Sequence, residues 1–364
     1  MQKERIMFFV SSMRAGGAER VVQVLLNYYV RFYACDLVII SGNKSEYKLD
    51  DRINVIYLNE GLNQNRVIDK LWTIVNSRNK VNKYISSMEN QGYKYVLIAA
   101  HLNMAYIMAL LSSKYKDVIY VIHNPQKHNR FSNSFLYRIL LCGILGDKKI
   151  GVVSQGIKDE LIESYGIKEN HIRVLYNPVD FEYIMSNMKE EIVYSRDYIL
   201  AVGRLTKEKR FDRLIDIYNE GLLYKKYDLI ILGDGELRRL LEEKVINLKL
   251  EKYIKMKGFC SNPYPWMKNA SILLNTSDYE ALPMTLLEAL LTGTRVVSSD
   301  CDYGPREILI KDYSRYLVSP VNNIQKYIEK INEALIYYPD EAEQLCKRFE
   351  LKSVADSYLD YYKK

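Results

Sequence analysis

Five short segments bring together side chains and backbone groups that could do chemistry. The strongest is Asp278-Tyr279-Glu280-Ala281-Leu282-Pro283-Met284-Thr285-Leu286-Leu287-Glu288-Ala289. Pro283 suits the first position of a helix, where its missing N–H costs nothing. The amides of Met284 and Thr285 then lack intrahelical partners and can donate to an anion. Glu280 stands in the loop before that helix. Glu288 lies more than one turn inside it, at a rise of about 1.5 Å per residue, so one carboxylate falls on each side of a bound diphosphate. Carboxylates suit sugar and ribose hydroxyls because they accept two hydrogen bonds in fixed geometry. The alternative for Glu288, an exposed helix glutamate, fits poorly with its apolar neighbours Leu286, Leu287, Ala289, Leu290 and Leu291.

The second segment is Gly203-Arg204-Leu205-Thr206-Lys207-Glu208-Lys209-Arg210. Arg204 offers a planar fork of donors and Lys209 a point charge across one turn, a pair suited to a diphosphate; a solvated basic loop is the other reading. In Ser11-Ser12-Met13-Arg14-Ala15-Gly16-Gly17-Ala18-Glu19-Arg20, Gly16 and Gly17 allow close backbone approach at a helix start, which suits a phosphate or a sugar. The G-x-G-x-x-G spacing is absent, which disfavours a dinucleotide site, and a lone Gly-Gly turn is more readily structural. Gly233-Asp234-Gly235-Glu236 either lets the chain pass close to a flat ligand or makes a tight turn with an acidic helix start. In Val121-Ile122-His123-Asn124-Pro125, His123 ends a strand, either as a ligand contact or as a structural histidine.

These segments need a scaffold, and the pattern supplies one. Short β-rich runs at 6–10, 37–40, 55–58, 95–99, 118–122, 150–153 and 172–175 alternate with helical segments such as 18–30 and 67–88. The second half repeats this, with strands at 198–202, 229–232, 253–256, 271–274, 295–298 and 316–318 and helices at 211–222, 236–248 and 284–291. Such alternation means α/β folding with parallel sheets and crossover helices. A polar stretch at 176–196 marks a break. The expectation is two doubly wound Rossmann-like domains facing across a cleft: 1–180 and 195–340, followed by helices at 341–364 packing back toward the first domain. Open parallel sheets bind ligands beyond the carboxyl ends of their strands, where all five segments fall.

Composition narrows the classes. A hydrophobic fraction of 48% with 27% charged residues excludes a disordered chain. Five scattered cysteines, with no Cys-x-x-Cys pair and no Cys/His cluster, suggest neither a disulfide framework nor a zinc site. They fit a reducing, cytoplasmic setting. The first residues, MQKERIMFFVSSM, read as a strand and not as a signal peptide. The most apolar stretch, 95–111, is too short to span a membrane. Net charge is +7, with +8 in residues 1–180 and −1 in 181–364. The basic first half can face an anionic substrate or membrane. The dispersed basic residues and the absence of a known module argue against nucleic acid.

Together, GGAER (16–20), NPVD (177–180), GRLTKEK (203–209), GDGEL (233–237), KGF (257–259) and EALPMTLLEAL (280–290) resemble the family 4 glycosyltransferases, which have the GT-B fold. The likeness spans about residues 5–310 and is densest after 170; the chain is most similar to bacterial enzymes that build lipid-linked surface polysaccharides. The resemblance implies that Arg204 and Lys209 hold the donor diphosphate, that Glu288 binds the ribose and that Glu280 contacts the transferred sugar. It places the backbone of Leu282, Pro283, Met284 and Thr285, with Gly233, against the donor and Gly258-Phe259 against the nucleobase. Gly16 and Gly17 approach the diphosphate or the acceptor, and His123 sits near the donor sugar or β-phosphate. Ala281 departs from the Gly of many relatives, and its methyl group would narrow the donor pocket.

The implied reaction is retaining transfer from a nucleotide sugar, with UDP-sugar preferred, to a lipid-linked or oligosaccharide acceptor. No metal and no cofactor are expected, because Arg204, Lys209 and helix amides offset the leaving-group charge. The first domain would bind the acceptor, and 134–145 (SFLYRILLCGIL) with Lys127, Arg130, Lys148 and Lys149 is either an interfacial helix at an anionic membrane surface or a core-facing one. The implied location is cytoplasmic, free or peripheral on the cytoplasmic face of the inner membrane. Two other readings stand beside this one: another GT-B reaction such as sugar-nucleotide epimerisation, and a non-catalytic nucleotide-sugar-binding partner of another transferase.

Overall fold

Parallel strands covered on both faces require unbroken apolar runs, and the first such run, Ile6–Val10, is at most 1% exposed along its length. The computed structural model describes residues 3–13, 17–40, 47–58, 67–101, 117–128 and 135–363. The chain divides into two compact units, Met1–Pro178 with Leu351–Lys364, and Val179–Glu350.

The first unit holds strands β1 (Lys3–Val10), β2 (Ala34–Ile39), β3 (Asn54–Tyr57), β4 (Tyr93–His101), β5 (Ile119–Ile122), β6 (Lys149–Val152) and β7 (Ile172–Val174). They form one parallel sheet in the order β3-β2-β1-β4-β5-β6-β7. Local chemistry sets the crossover helices between them. Ser154 accepts from the Ile157 amide to start the helix Gln155–Tyr165, and Gly166, at φ 67°, ends it in the left-handed region. The final helix, Leu351–Lys363, docks on this sheet. Tyr29 Oη donates to the Ala355 carbonyl at 2.7 Å, Tyr361 Oη donates to the His171 carbonyl at 2.6 Å, and Lys149 Nζ donates to the Tyr362 carbonyl at 2.8 Å.

The second unit holds β8 (Tyr198–Val202), β9 (Asp228–Leu232), β10 (Ile254–Gly258), β11 (Ile272–Asn275), β12 (Tyr279–Glu280), β13 (Val296–Ser299), β14 (Asp302–Tyr303) and β15 (Leu317–Val318). Six of these form a parallel sheet in the order β10-β9-β8-β11-β13-β15, while β12 and β14 pair separately. The helices Phe211–Glu220, Arg238–Asn247, Met284–Leu291 and Ile324–Ile336 lie among them. Every strand expected from the sequence is present; β12 and β14, two residues each, were not expected.

The division falls between Pro178 and Val179, inside the polar stretch 176–196 and two residues before the expected end of the first domain at 180. Asp180 caps the helix Phe181–Asn187 by accepting from the Tyr183 amide at 2.9 Å, and the Val179 amide donates to the Phe349 carbonyl at 2.7 Å. That segment is therefore built into the second unit. The expectation that all of 341–364 returns to the first unit also needs correction. The helix Ala342–Cys346 stays with the second unit, where Cys346 is fully buried and the Glu341 amide donates to Tyr313 Oη at 2.9 Å. Only the chain from Leu351 onward belongs to the first unit. Among the described residues, no helix is long and apolar enough to cross a membrane.

Candidate active site

In a doubly wound sheet, the loops beyond the strands' carboxyl ends diverge where the strand order reverses, leaving a crevice. In the second unit this point lies between β8 and β11, which are neighbours in the sheet although β9 and β10 intervene in the chain. The loops that flank it are 203–210 and 276–280, and they are fastened to each other. The Asp278 amide donates to the Glu208 carbonyl at 2.8 Å, and Thr276 Oγ1 lies 3.2 Å from the Lys209 carbonyl and 3.0 Å from that of Arg210. Arg213, buried at 4% exposure, holds Asp278 at 2.6 Å from the helix Phe211–Glu220. Arg210, in the left-handed region at φ 53°, precedes that helix and reaches Asp278 as well.

This clamp brings Lys209 and Glu280 together. Lys209 Nζ lies 2.6 and 2.8 Å from the two carboxylate oxygens of Glu280, whose side chain is only 10% exposed. Ser277 Oγ lies 2.7 Å from Glu280 Oε1. The backbone of Glu280 is fixed by β12, which pairs with β14, and by the Gly304 amide, which donates to the Glu280 carbonyl at 3.0 Å. A Cβ on Gly304 would sit 2.6 Å from both Leu282 Cα and Pro283 Cδ, so a side chain there would push the loop away. The resemblance implied Lys209 on phosphate and Glu280 on sugar; in the structure the two side chains also pair with each other. Ser277 and Gly304 were not singled out from the sequence. The run Asp302-Tyr303-Gly304-Pro305 before a helix was the available signal for Gly304.

The electrostatics follow from this packing. Burial acts to raise the Glu208 carboxyl, but the Thr206 hydroxyl at 2.7 Å and the Lys209 and Arg204 cations outweigh it and bring it below the ordinary carboxylate range. Burial, reinforced by the Glu280 carboxylate, pushes the Cys301 thiol up to about 12 and keeps it protonated. Arg204 is exposed and makes no ion pair among the described residues, which leaves its guanidinium fork available. The helix begins at Met284, and Pro283, expected at the first helical position, is instead its cap in extended conformation. The Leu286 amide already closes onto the Pro283 carbonyl at 3.1 Å. The amides of Met284 and Thr285 precede it and have no helical carbonyl to bond. Leu282 and Pro283 are buried, while Met284 and Thr285 are half-buried. Lys209, Asn275, Ser277, Glu280 and Thr285 line a shared polar recess. Glu288 is half-buried, and Tyr264 Oη lies 3.4 Å from its Oε1.

Packing against a neighbouring loop also requires a glycine at 233. At φ 145°, a Cβ would lie 1.8 Å from the Gly203 carbonyl oxygen. The Gly203 amide donates to the Leu232 carbonyl at 3.0 Å, the Leu205 amide to Asp234 at 3.0 Å, and the Gly233 amide to Gly258 at 2.7 Å. The loops after β8, β9 and β10 are thus laced to one another, and Gly233 admits the Gly203 loop. Phe259, just beyond Gly258, is 76% exposed.

Residues 184–349 match the family model for group 1 glycosyl transferases, and residues 15–183 match that for glycosyltransferase family 4. The chain is a family 4 glycosyltransferase. A relative from Campylobacter jejuni, N-acetylgalactosamine-N,N'-diacetylbacillosaminyl-diphospho-undecaprenol 4-alpha-N-acetylgalactosaminyltransferase, is 26% identical over 98% of this chain and 99% of that protein. The lipopolysaccharide 1,6-galactosyltransferase of Escherichia coli is 32% identical over 50% of each chain. Among solved structures, HepE of Anabaena in complex with UDP and glucose superposes with a TM-score of 0.74 at 17% identity, covering 98% of this chain and 99% of its own. The lipopolysaccharide outer core galactosyltransferase WaaB gives 0.72 at 20% identity, covering 98% of each. These likenesses establish the GT-B fold.

In the glycosyltransferase's first unit the reversal lies between β1 and β4. Gly17 begins the helix Gly17–Tyr29 with open space where a Cβ would stand; Gly16 lies outside the described residues. His123, just past β5, has its Nε2 2.7 Å from Nδ1 of His101 at the end of β4. Burial holds the His123 imidazole down to about 4, and burial together with His123 holds His101 well below its ordinary value, so both rings are neutral near pH 7. His101 also stacks on Tyr358 of the last helix, with rings 9° apart in tilt. The sequence offered no sign of this partner. In the helix Phe135–Leu145, Leu141 and Leu145 are buried while Arg138 and Ile139 are exposed. Lys149 Nζ donates to the Tyr362 carbonyl at 2.8 Å; Ser134 and Arg130 lie outside the described residues.

Proposed function

We propose that this chain is a retaining, metal-independent transferase that moves a sugar from a UDP-sugar to a lipid-linked or glycan acceptor in surface polysaccharide or lipopolysaccharide assembly. The observation that supports it most is the Lys209–Glu280 pair beside the free amides of Met284 and Thr285 at the strand-order reversal of the second unit. The helix start and Lys209, with the available Arg204, form a pre-set cationic environment for a leaving diphosphate, where charge develops in the transition state. Glu288 binds the ribose hydroxyls. Glu280 accepts from the transferred sugar and acts by position and charge, not as a nucleophile. The acceptor hydroxyl attacks from the face the diphosphate leaves, and a β-phosphate oxygen takes its proton. The first unit receives the acceptor.

Support for the donor comes from HepE, solved with UDP and glucose, and support for the acceptor from the Campylobacter relatives, whose names place them on undecaprenol-diphosphate glycans with α linkages. Peripheral placement at the cytoplasmic face of the membrane goes with such an acceptor, and sedimentation with anionic vesicles at low and high salt tests it. The test of the reaction is turnover with a panel of nucleotide sugars, with and without a chelator, followed by determination of the product anomer. An α product from an α-linked UDP-sugar, unaffected by chelator, is expected. A β product or a metal requirement overturns the mechanism.

A further inference from the structure

One polar group in the recess is left without a partner, and its identity can be fixed. Asn275 ends β11 and is 8% exposed. Its Oδ1 accepts from the Ser277 amide at 3.1 Å and lies 2.7 Å from Ser277 Oγ. An N–H can point only at an acceptor, so the Ser277 amide excludes the flipped side chain, in which NH₂ would face N–H. The NH₂ group must therefore occupy the other position, where Nδ2 is buried and has no hydrogen-bond partner among the described residues. A buried donor left unmade is costly enough that native proteins nearly always satisfy it.

The opposite wall of the recess has the complementary need. A carboxylate offers about four acceptor sites; on Glu280 the Lys209 ammonium occupies two, and the single Ser277 hydroxyl hydrogen lies between Glu280 Oε1 and Asn275 Oδ1. Asn275 Oδ1 and Glu280 Oε1 both lie 2.7 Å from the same Ser277 oxygen, and the two side chains line the same recess. A phosphoryl oxygen only accepts, and it would be repelled by Glu280. A hydroxyl both donates and accepts.

We infer that Asn275 is a sugar-recognition residue: its Nδ2 donates to one hydroxyl of the transferred sugar while that hydroxyl donates to Glu280. This rests on the donor site proposed above and adds to it a determinant of sugar selectivity. Asn275 discriminates against a donor that lacks this hydroxyl, because the amide is then again unpaired.

The test compares wild type, Asn275→Ala and Ser277→Ala by calorimetry and initial rates. The probes are UDP, UDP-galactose, UDP-N-acetylgalactosamine and the monodeoxy analogues of whichever sugar nucleotide binds tighter. Asn275→Ala is expected to weaken that sugar nucleotide about three- to tenfold and to leave UDP affinity unchanged. For one deoxy analogue, wild type and Asn275→Ala should be equal. Ser277→Ala, which disturbs Glu280 itself, should keep its loss on every analogue. Should Asn275→Ala not fold, Asn275→Asp, which retains the acceptor for the Ser277 amide, replaces it. Equal loss for UDP and the sugar nucleotide, a loss that persists on every analogue, or no loss at all with a water satisfying the amide, each overturns the assignment. If wild type binds none of the probes, the donor reading itself fails, a result distinct from these.

Discussion

Removing the ammonium from the recess tests the site most searchingly, because Lys209 is bound to both function and fold. In Lys209→Ala, Glu280 keeps one hydrogen bond from Ser277 and loses two short ones from a cation. Breaking a buried pair on one side costs about 3–5 kcal/mol. The Lys209 side chain is 26% exposed and Glu280 10%, so water can reach the orphaned carboxylate, and about 2–3 kcal/mol is the better expectation. At about 2–4 °C per kcal/mol for a unit of this size, the melting temperature falls by ~4–12 °C. In a Glu280→Gln background the same substitution should cost about 1 kcal/mol or less, since no buried charge is stranded. Thermal or urea unfolding of the four proteins gives the coupling, and sugar-transfer rates with UDP-sugars give the functional loss, expected at about 10²–10³ in kcat for a group facing developing charge. Additive unfolding energies, or near-normal turnover in Lys209→Ala, would refute the reasoning.

Other substitutions separate structural from functional roles. Gly233→Ala places a methyl group against the Gly203 carbonyl oxygen and should destabilise the second unit by more than ~4 kcal/mol, whereas Gly17→Ala meets open space and should leave unfolding within about 0.5 kcal/mol of wild type; parallel denaturant titrations check both. Glu288→Ala should weaken UDP binding about tenfold with little change in stability, read by calorimetry. The histidine pair sets a pH dependence. Both imidazoles titrate below their unfolded value of about 6.5, so below that pH the unfolded chain binds more protons and stability falls as pH drops from about 6.5 toward 4. His101→Leu should flatten this slope, measured as urea midpoint against pH.

Much of the fold was legible because parallel strands carry their signal locally. The apolar run Ile6–Val10 and the helical stripe of 211–222 need no distant residue to declare themselves. The positions of Arg204, Lys209 and Glu280 beyond strand ends were legible because their loops follow strands, and that of Glu288 because it lies inside the helix that follows. The pairings inside the site were not. Lys209 and Glu280 stand 71 residues apart in the chain, and only the clamp of Arg210, Arg213 and Thr276 brings them together. Asn275 and Ser277 look like ordinary strand-end polar residues until the hydrogen bonds around the Ser277 hydroxyl are known. His101 lies in an apolar run that gives no hint of His123. Strands β12 and β14 are too short to show a period. Gly233 looked like a ligand contact because a glycine that admits a ligand and one that admits a neighbouring loop leave the same trace in sequence. The terminal helices were assigned together because their composition is alike; the Tyr313 contact that keeps Ala342–Cys346 with the second unit is non-local.

The central claim is that a pyrophosphoryl group binds at the start of the helix Met284–Leu291. A structure of the chain with UDP measures this directly. The expected result is phosphate oxygens at about 2.7–3.2 Å from the amides of Met284 and Thr285, with Lys209 and Arg204 on the same diphosphate and Glu288 on the ribose. Diphosphate density away from this helix start, with Lys209 still bound only to Glu280, would contradict it.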